Sequence, residues 1–325
     1  MCCPKRANRG GVQLDLAEVT TYWKTGGNLA ALRDLGRTVR GGFGLALREL
    51  SCVEPDQQCR GCVHATRCAY GYLFETPLPP NSQFMRKYTN APHPFVLRAQ
   101  QSSSRDGTVL RIHLCLVGRA IEYYPRALLA LVRLGKLGLG PGRVPLSLAK
   151  VRDEAARTDQ EADPNGAVVV MPQRVAVPIK RGPSSTRDLR VTLHTPLRLV
   201  SDGGVTRKLT YGRLVSASLR RIELLWRVHC ASDEEAWELD APDLVSRAEA
   251  VPCVLDSTRW VEGERYSRRQ DRSHPMGGLL GRLRFGASGG PLAPLLALGG
   301  RLHLGKHTAF GHGHLTVDWE DDHRA

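Results

Sequence analysis

The chain has 325 residues, 42% of them hydrophobic, enough to bury the cores of one large domain or two ordinary ones. Its 46 Lys and Arg against 32 Asp and Glu give a formal net charge of +14, which favours a polyanionic partner such as nucleic acid. Aromatic residues make up only 6%, which argues against extensive base stacking, and no apolar run reaches the roughly 20 residues needed to cross a bilayer, so no membrane partner is expected. Residues 1–11 lack the apolar stretch of a signal peptide, and a cytoplasmic location is expected.

In chain order, Leu29, Leu32, Leu35, Val39, Phe43, Ala46, Leu47 and Leu50 recur at helical spacing. Gly41, Gly42 and Gly44 interrupt this pattern and mark either a displaced helix start or a close packing partner. A cysteine cluster and a Pro-rich stretch follow. Thr108 to Val117 alternates, with Leu110, Ile112, Leu114 and Leu116 on one face and Arg111 and His113 on the other, as a half-buried strand does. Ile121, Tyr124, Leu128, Leu131 and Leu134 predict a second helix, and Val144 to Val151 a closing strand. A polar stretch then precedes a domain boundary placed near residue 180. Arg190 to Val200 alternates again, with Pro196 predicting an edge strand or a bulge. Leu209 to Trp226 is amphipathic, and Val251 to Val261, Gly278 to Phe285, Arg301 to Leu304 and His314 to Trp319 read as short strands.

Each half thus reads as strand, helix, strands, helix, strand. The expected fold is α+β: two tandem ferredoxin-like (RRM-like) domains, over 1–180 and 181–325, with a Cys-rich insertion in the first. The fold alone assigns no function.

Chemistry concentrates in the glycine-rich loop at 305–313. Leu302 and Leu304 are expected to point inward, placing Arg301 and His303 on the outer face. Gly305, Gly311 and Gly313 let backbone approach a phosphate without Cβ interference. Lys306 supplies a compact positive charge, and His303 or His307 a group that moves protons near neutral pH. A plain hairpin whose glycines only satisfy turn geometry is the competing reading. Upstream, Arg259, Arg265, Arg268, Arg269 and Arg272 surround Tyr266, a pattern suited to phosphate and base contacts or to a solvated loop.

Cys52-x6-Cys59-x2-Cys62-x5-Cys68 is a compact set of four thiols. In a reducing compartment it points to structural zinc, with an iron–sulfur cluster as the alternative, and His64 stands close enough in sequence to replace one ligand.

Several ordered motifs carry a family resemblance. The segment Leu302-His-Leu-Gly-Lys-His-Thr-Ala-Phe-Gly-His-Gly313 resembles the C-terminal glycine-rich loop of the CRISPR repeat-processing endoribonucleases of the RAMP superfamily. Arg265-Tyr-Ser-Arg-Arg-Gln270 with Met276-Gly-Gly-Leu-Leu-Gly281 is similar to a segment upstream of that loop in one branch. Val39-Arg-Gly-Gly-Phe-Gly-Leu-Ala-Leu-Arg48, Tyr72-Leu-Phe-Glu75, Pro94-Phe-Val-Leu97 and Gly138-Leu-Gly140 agree in the first half, so the resemblance spans 37–319.

The resemblance implies a metal-independent endoribonuclease that grips CRISPR repeat RNA and cuts precursor crRNA once. The ribose 2′-hydroxyl attacks the adjacent phosphorus and leaves a 2′,3′-cyclic phosphate. Several relatives use a histidine near the first helix, whereas the first histidine here is His64, and Tyr22, Lys24, Arg37 and Arg40 occupy that region. Proton transfer is therefore assigned to His303 and phosphate-charge stabilisation to Lys306, with Arg40 as a further catalytic candidate. Arg265, Arg268, Arg269, Arg272, Gly305, His307, Gly311 and Gly313 are expected at the RNA. A non-catalytic RNA-binding subunit, associated with other CRISPR effector subunits, is the alternative.

Overall fold

The structure, a computed structural model, describes residues 12–27, 29, 32, 34–54, 58, 59, 61–78, 85, 91–104, 107–163, 166–201, 203–232, 235–267 and 272–320. The first sheet is built from β1 (Gln13–Thr25), β2 (Phe95–Ser104), β3 (Gly107–Val117), β4 (Leu146–Asp153), β5 (Thr158–Glu161) and β6 (Val175–Pro178). Its order is β2-β3-β1-β4-β5, antiparallel throughout, with β6 pairing the start of β1. Helices α1 (Leu35–Ser51) and α2 (Tyr124–Leu137) connect β1 to β2 and β3 to β4.

The second unit repeats the scheme with β7 (Leu189–Leu197), the small hairpin of β8 (Val200–Ser201) and β9 (Gly204–Val205), β10 (Cys253–Asp256) and β11 (Arg259–Val261). A second hairpin, β12 (Glu264–Ser267) with β13 (Arg272–Pro275), leads into β14 (Gly278–Phe285), and β15 (Leu315–Trp319) closes the sheet. The order is β10-β14-β7-β15, with β11 also on β14. Helices α3 (Tyr211–His229) and α4 (Ala241–Glu249) precede β10, and α5 (Ala293–Arg301) precedes β15. Both sheets have their strands in the order second, third, first, fourth, with a helix after the first and third. That is the ferredoxin-like arrangement twice over, as expected.

Two cores follow from the strand faces. Ala17, Val19 and Trp23 of β1 pack under Val39, Phe43 and Leu47 of α1 and Leu131 and Leu134 of α2. The opposite face of the same sheet offers Leu14, Leu16, Val96, Cys115 and Val117, which join Ile222, Leu225 and Trp226 of α3 in the second core. The domains are therefore joined by a dry apolar contact. Farther along β1 that face turns polar at Glu18 and Thr20. The helical glycines serve packing: a Cβ on Gly42 would meet Leu134 at 2.3 Å and one on Gly44 would meet Phe74 at 2.8 Å.

The sequence pattern falls short at β1, at α5 and at Arg301 to Leu304, and of the two readings of Pro196 the bulge is the one found. β1 carries no readable pattern, because the strand is buried on both faces and does not alternate. Helix α5 is apolar on nearly every side and so lacks an amphipathic signature. Arg301 to Leu304 is not a strand: Arg301 ends α5 and Leu302 caps it. β7 is an interior strand, not an edge, and Pro196 falls where its register with β14 shifts between Leu193 and Leu197, the bulge that proline required. Among the described residues, no helix is long and apolar enough to cross a membrane.

Candidate nucleic-acid interface

After α5 the chain turns through left-handed conformations at His303 (φ 58°), Gly305 (79°), His307 (65°), Gly311 (86°) and Gly313 (78°). A Cβ on Gly305 would lie 2.3 Å from the Arg198 carbonyl oxygen, and one on Gly313 would lie 1.9 Å from that of Leu304. Only glycine fits these two positions. The amides are also engaged: Gly311 N–H donates to Thr308 O at 3.0 Å, Gly313 N–H to Pro196 O at 3.1 Å, and Lys306 N–H to Arg198 O at 2.9 Å. The glycines thus shape the loop, and the amides of Gly311 and Gly313 do not lie open to a phosphate.

The loop docks on the first domain. A Cβ on Gly36 would meet the Phe310 carbonyl oxygen at 2.5 Å, so the loop crosses the first turn of α1 at backbone distance. Asp34 caps that helix by accepting from the Arg37 amide at 2.9 Å. The Arg40 guanidinium is sandwiched between Phe310 (4.5 Å) and Phe74 (4.9 Å). Arg40 is therefore a bracket between loop and helix.

His303 departs most from expectation. Because it follows a helix and not a strand, its ring is fully buried, with 0% exposure. Its Nδ1 donates to the His312 carbonyl at 2.9 Å, and Nε2 is buried without a partner. The ring stacks on His314 at 5.2 Å, which stacks on His194 at 4.8 Å. Burial above all, then His314, Arg98 and His113, holds its imidazole well below the usual histidine range. A neutral ring with no exposed surface is poorly placed to reach a phosphodiester.

The exposed chemistry lies elsewhere in the loop. Lys306 is exposed. His307 and His312 are half-buried, with ring centroids 6.0 Å apart and edge-on. Burial pushes the His312 imidazole down, opposed by the charge of Asp34. Arg198, whose carbonyl accepts from the Lys306 amide, lies 5.7 Å from the Trp260 ring, which Arg207 flanks at 3.7 Å, and its guanidinium donates to Gly277 O at 3.0 Å. Sequence reasoning had passed over His312, Arg198, Arg207 and Trp260. The His312-Gly313 pair was visible in the motif, but nothing local revealed that Arg198 and Trp260 fold beside it.

Behind the loop, the polar part of the domain contact is an ion-pair cluster. Arg301 at the end of α5 pairs with Glu18 of β1, whose other partner is His113 of β3 at 3.7 Å. Of the basic run, Arg265 and Arg272 lie in the β12–β13 hairpin, while Arg268 and Arg269 fall outside the described residues. Cys52, Cys59, Cys62 and Cys68 come together with His64 around one small cavity. Among the described residues, no three His, Cys, Asp or Glu side chains stand in an arrangement that could hold a metal ion as placed.

Paired ferredoxin-like domains, with a glycine-rich loop of the second closing on the first helix, are the frame on which the comparisons with known proteins fall. Residues 191–315 match the family model described as CRISPR-associated endoribonuclease Cas6, and residues 14–175 match a model described as an N-terminal domain. The Cas6 match falls on the second domain, and there the chain resembles a Cas6-type CRISPR repeat-processing protein. A structure of Thermus thermophilus Cas6 is 14% identical over 95% of this chain and 100% of its own, with a TM-score of 0.53. A Cas6 product complex is 18% identical over 93% and 99%, also at 0.53, and a partial Cas6-RT-Cas1–Cas2 complex is 10% identical over 97% and 48%, at 0.52. At these identities the likeness is one of fold. Comparison with curated proteins gives no sequence match.

Proposed function

We propose that the chain is a metal-independent endoribonuclease that binds CRISPR repeat RNA and cuts precursor crRNA, leaving a 2′,3′-cyclic phosphate. One observation carries this reading: the glycine-rich loop, which bears Lys306, crosses the first turn of α1 and brings His307 and His312 together, with His312 in the field of Asp34, at the domain junction. His312, kept neutral by burial, takes the proton of the 2′-hydroxyl, whose oxygen then bonds to phosphorus. The P–O5′ bond breaks, and protonated His307 delivers a proton to the departing 5′-oxygen. Lys306 faces the charge that builds on the phosphoryl oxygens. His303, first assigned the proton transfer, becomes a positioning residue that fixes the His312 carbonyl from behind.

Arg265, Arg268, Arg269 and Arg272 are taken as further contacts to the RNA, with Gly305, Gly311 and Gly313 setting the shape of the loop. The reaction places every proton and charge on side chains, so a metal on the cysteines would be structural, whether zinc or an iron–sulfur cluster. The same reading puts the chain in the cytoplasm with its RNA. The test is incubation with cognate repeat RNA in EDTA. Cutting at one site, with a cyclic phosphate on one product and a 5′-hydroxyl on the other, is the expected result. Tight binding of uncut RNA would instead favour a non-catalytic subunit of a CRISPR effector complex, a reading that rests on the absence of histidine from α1.

A further inference from the structure

The segment between α1 and Ala69 has an unusual physical character. None of its described residues from Cys52 to Cys68 is buried, and Val53 and Val63 are 72% and 83% exposed. Hydrophobic packing therefore does not hold it. Yet it is folded into successive turns: Cys62 N–H donates to Cys59 O at 3.2 Å, Ala65 N–H to Cys62 O at 3.1 Å, and Cys68 N–H to His64 O at 2.7 Å. Its outer side is tied to the α2 region by Arg119 on Thr66 O (3.2 Å) and Tyr123 on Arg67 O (3.3 Å).

The four cysteines share one cavity, whose lining also includes His64 and Tyr70. It measures about 30 Å³, room for a single ion.

We propose that Cys52, Cys59, Cys62 and Cys68 close on one zinc ion as a tetrahedral tetrathiolate site. As placed, the sulfurs surround the cavity without converging, and they sit on turns with no buried side chain, so no core packing within the segment resists their closing on an ion. Each thiol gives up its proton to solvent as its sulfur binds, with no change of oxidation state. The site is a clamp. Cys52 caps the C-terminal end of α1, and Cys68 opens the turn that carries Tyr72 and Phe74. Tyr72 bonds His229 of the second domain, and Phe74 stacks on Arg40. The 17 residues of α1 separate this clamp from the loop by about 25 Å, so its part is structural.

Elemental analysis of full-length protein purified without chelator should find one zinc per chain. Cobalt(II) added to metal-stripped protein should give the intense visible bands of a tetrahedral thiolate complex. A Cys59→Ser/Cys62→Ser variant should lose the zinc and melt roughly 5 °C or more lower, while His64→Ala keeps the ion. Where the double variant does not fold, the cobalt spectrum of the natural chain decides. Metal-free folded protein whose four thiols react as fast as in the unfolded chain would overturn the proposal. So would a Cys59–Cys62 disulfide, or a brown protein carrying labile sulfide. Metal content is read without RNA, so failure here is distinct from failure of the cleavage reading.

Discussion

The Tyr72 hydroxyl lies 2.8 Å from His229 Nδ1, and His229 Nε2 lies 2.9 Å from the Pro92 carbonyl. A carbonyl only accepts, so Nε2 carries the proton and Nδ1 accepts from Tyr72. This bond joins the cysteine-bearing segment of the first domain to the end of α3 in the second. Burial first, with Arg221 adding to it and the Pro92 bond opposing, lowers the His229 imidazole to about 4. Between pH 6.5 and 4 the unfolded chain takes up a proton that the folded chain refuses. The contribution of His229 is therefore full above pH 6.5 and is lost as the pH falls to 4, at up to about 1.4 kcal/mol per pH unit. Urea unfolding across that range should show the slope, and His229→Gln should flatten it. Tyr72→Phe leaves Nδ1 buried without a donor and should cost about 1–3 kcal/mol at pH 7. An unaltered midpoint in that variant would dismiss the bond as a domain link.

Glu18 supplies the second coupling between domains. Burial opposes its ionisation, but its bonds to His113 and Arg301 win and hold the carboxyl at about 2. A carboxyl held low stabilises the folded state above about pH 4.5, and this is lost as the pH falls through 2. Glu18→Gln should therefore destabilise at pH 7 by about 1–3 kcal/mol, between the exposed and buried limits for an ion pair. The gap from the natural chain should close as the pH drops from 4.5 toward 2. A gap that stays constant across this window would show that packing, not charge, is responsible.

Legibility in the sequence followed the physics of each element. The helices α1, α2 and α3 and the first half of β3 each bury one face, so their period was plain. β1 and α5 bury nearly every side and carry no period to read. That gap misplaced His303: without α5, the segment Arg301 to Leu304 reads as an alternating strand with an outward histidine, whereas a helix end followed by a left-handed residue turns that ring inward. The glycine-rich motif located the loop, because only glycine tolerates the backbone contacts at Gly305 and Gly313. What the loop meets, from Gly36 and Arg40 to Arg198, depends on pairings far apart in the chain.

The exchange of roles between His303 and His312 can be separated by kinetics. His312→Ala should lower single-turnover cleavage by roughly 10²–10⁴-fold with repeat affinity nearly unchanged. Lys306→Ala should also slow the chemical step, because a positive group at the phosphate is removed. His303→Asn keeps a donor for the His312 carbonyl and should retain most of the activity, whereas His303→Ala should slow cleavage without changing the shape of its pH profile. Full activity in His312→Ala would remove it as the proton-transfer group.

The basic track is read through salt. Each phosphate neutralised by Lys or Arg releases counterions, so log affinity falls with log salt by roughly 0.7 per contact on a single strand. Arg268→Glu with Arg269→Glu should weaken repeat binding and reduce that slope by about 1.4 if both residues meet phosphates. Arg207, stacked 3.7 Å from the Trp260 ring next to the loop, is a separate case. Its guanidinium presents one face to the indole and keeps its edge donors for phosphate, so Arg207→Gln should reduce the slope by about 0.7. Arg247 on α4 is already paired with Asp243 at 2.9 Å, and Arg247→Gln should leave the slope unchanged. If all three variants shift the slope equally, the effect is one of net charge and the track proposed along the hairpin and loop is lost.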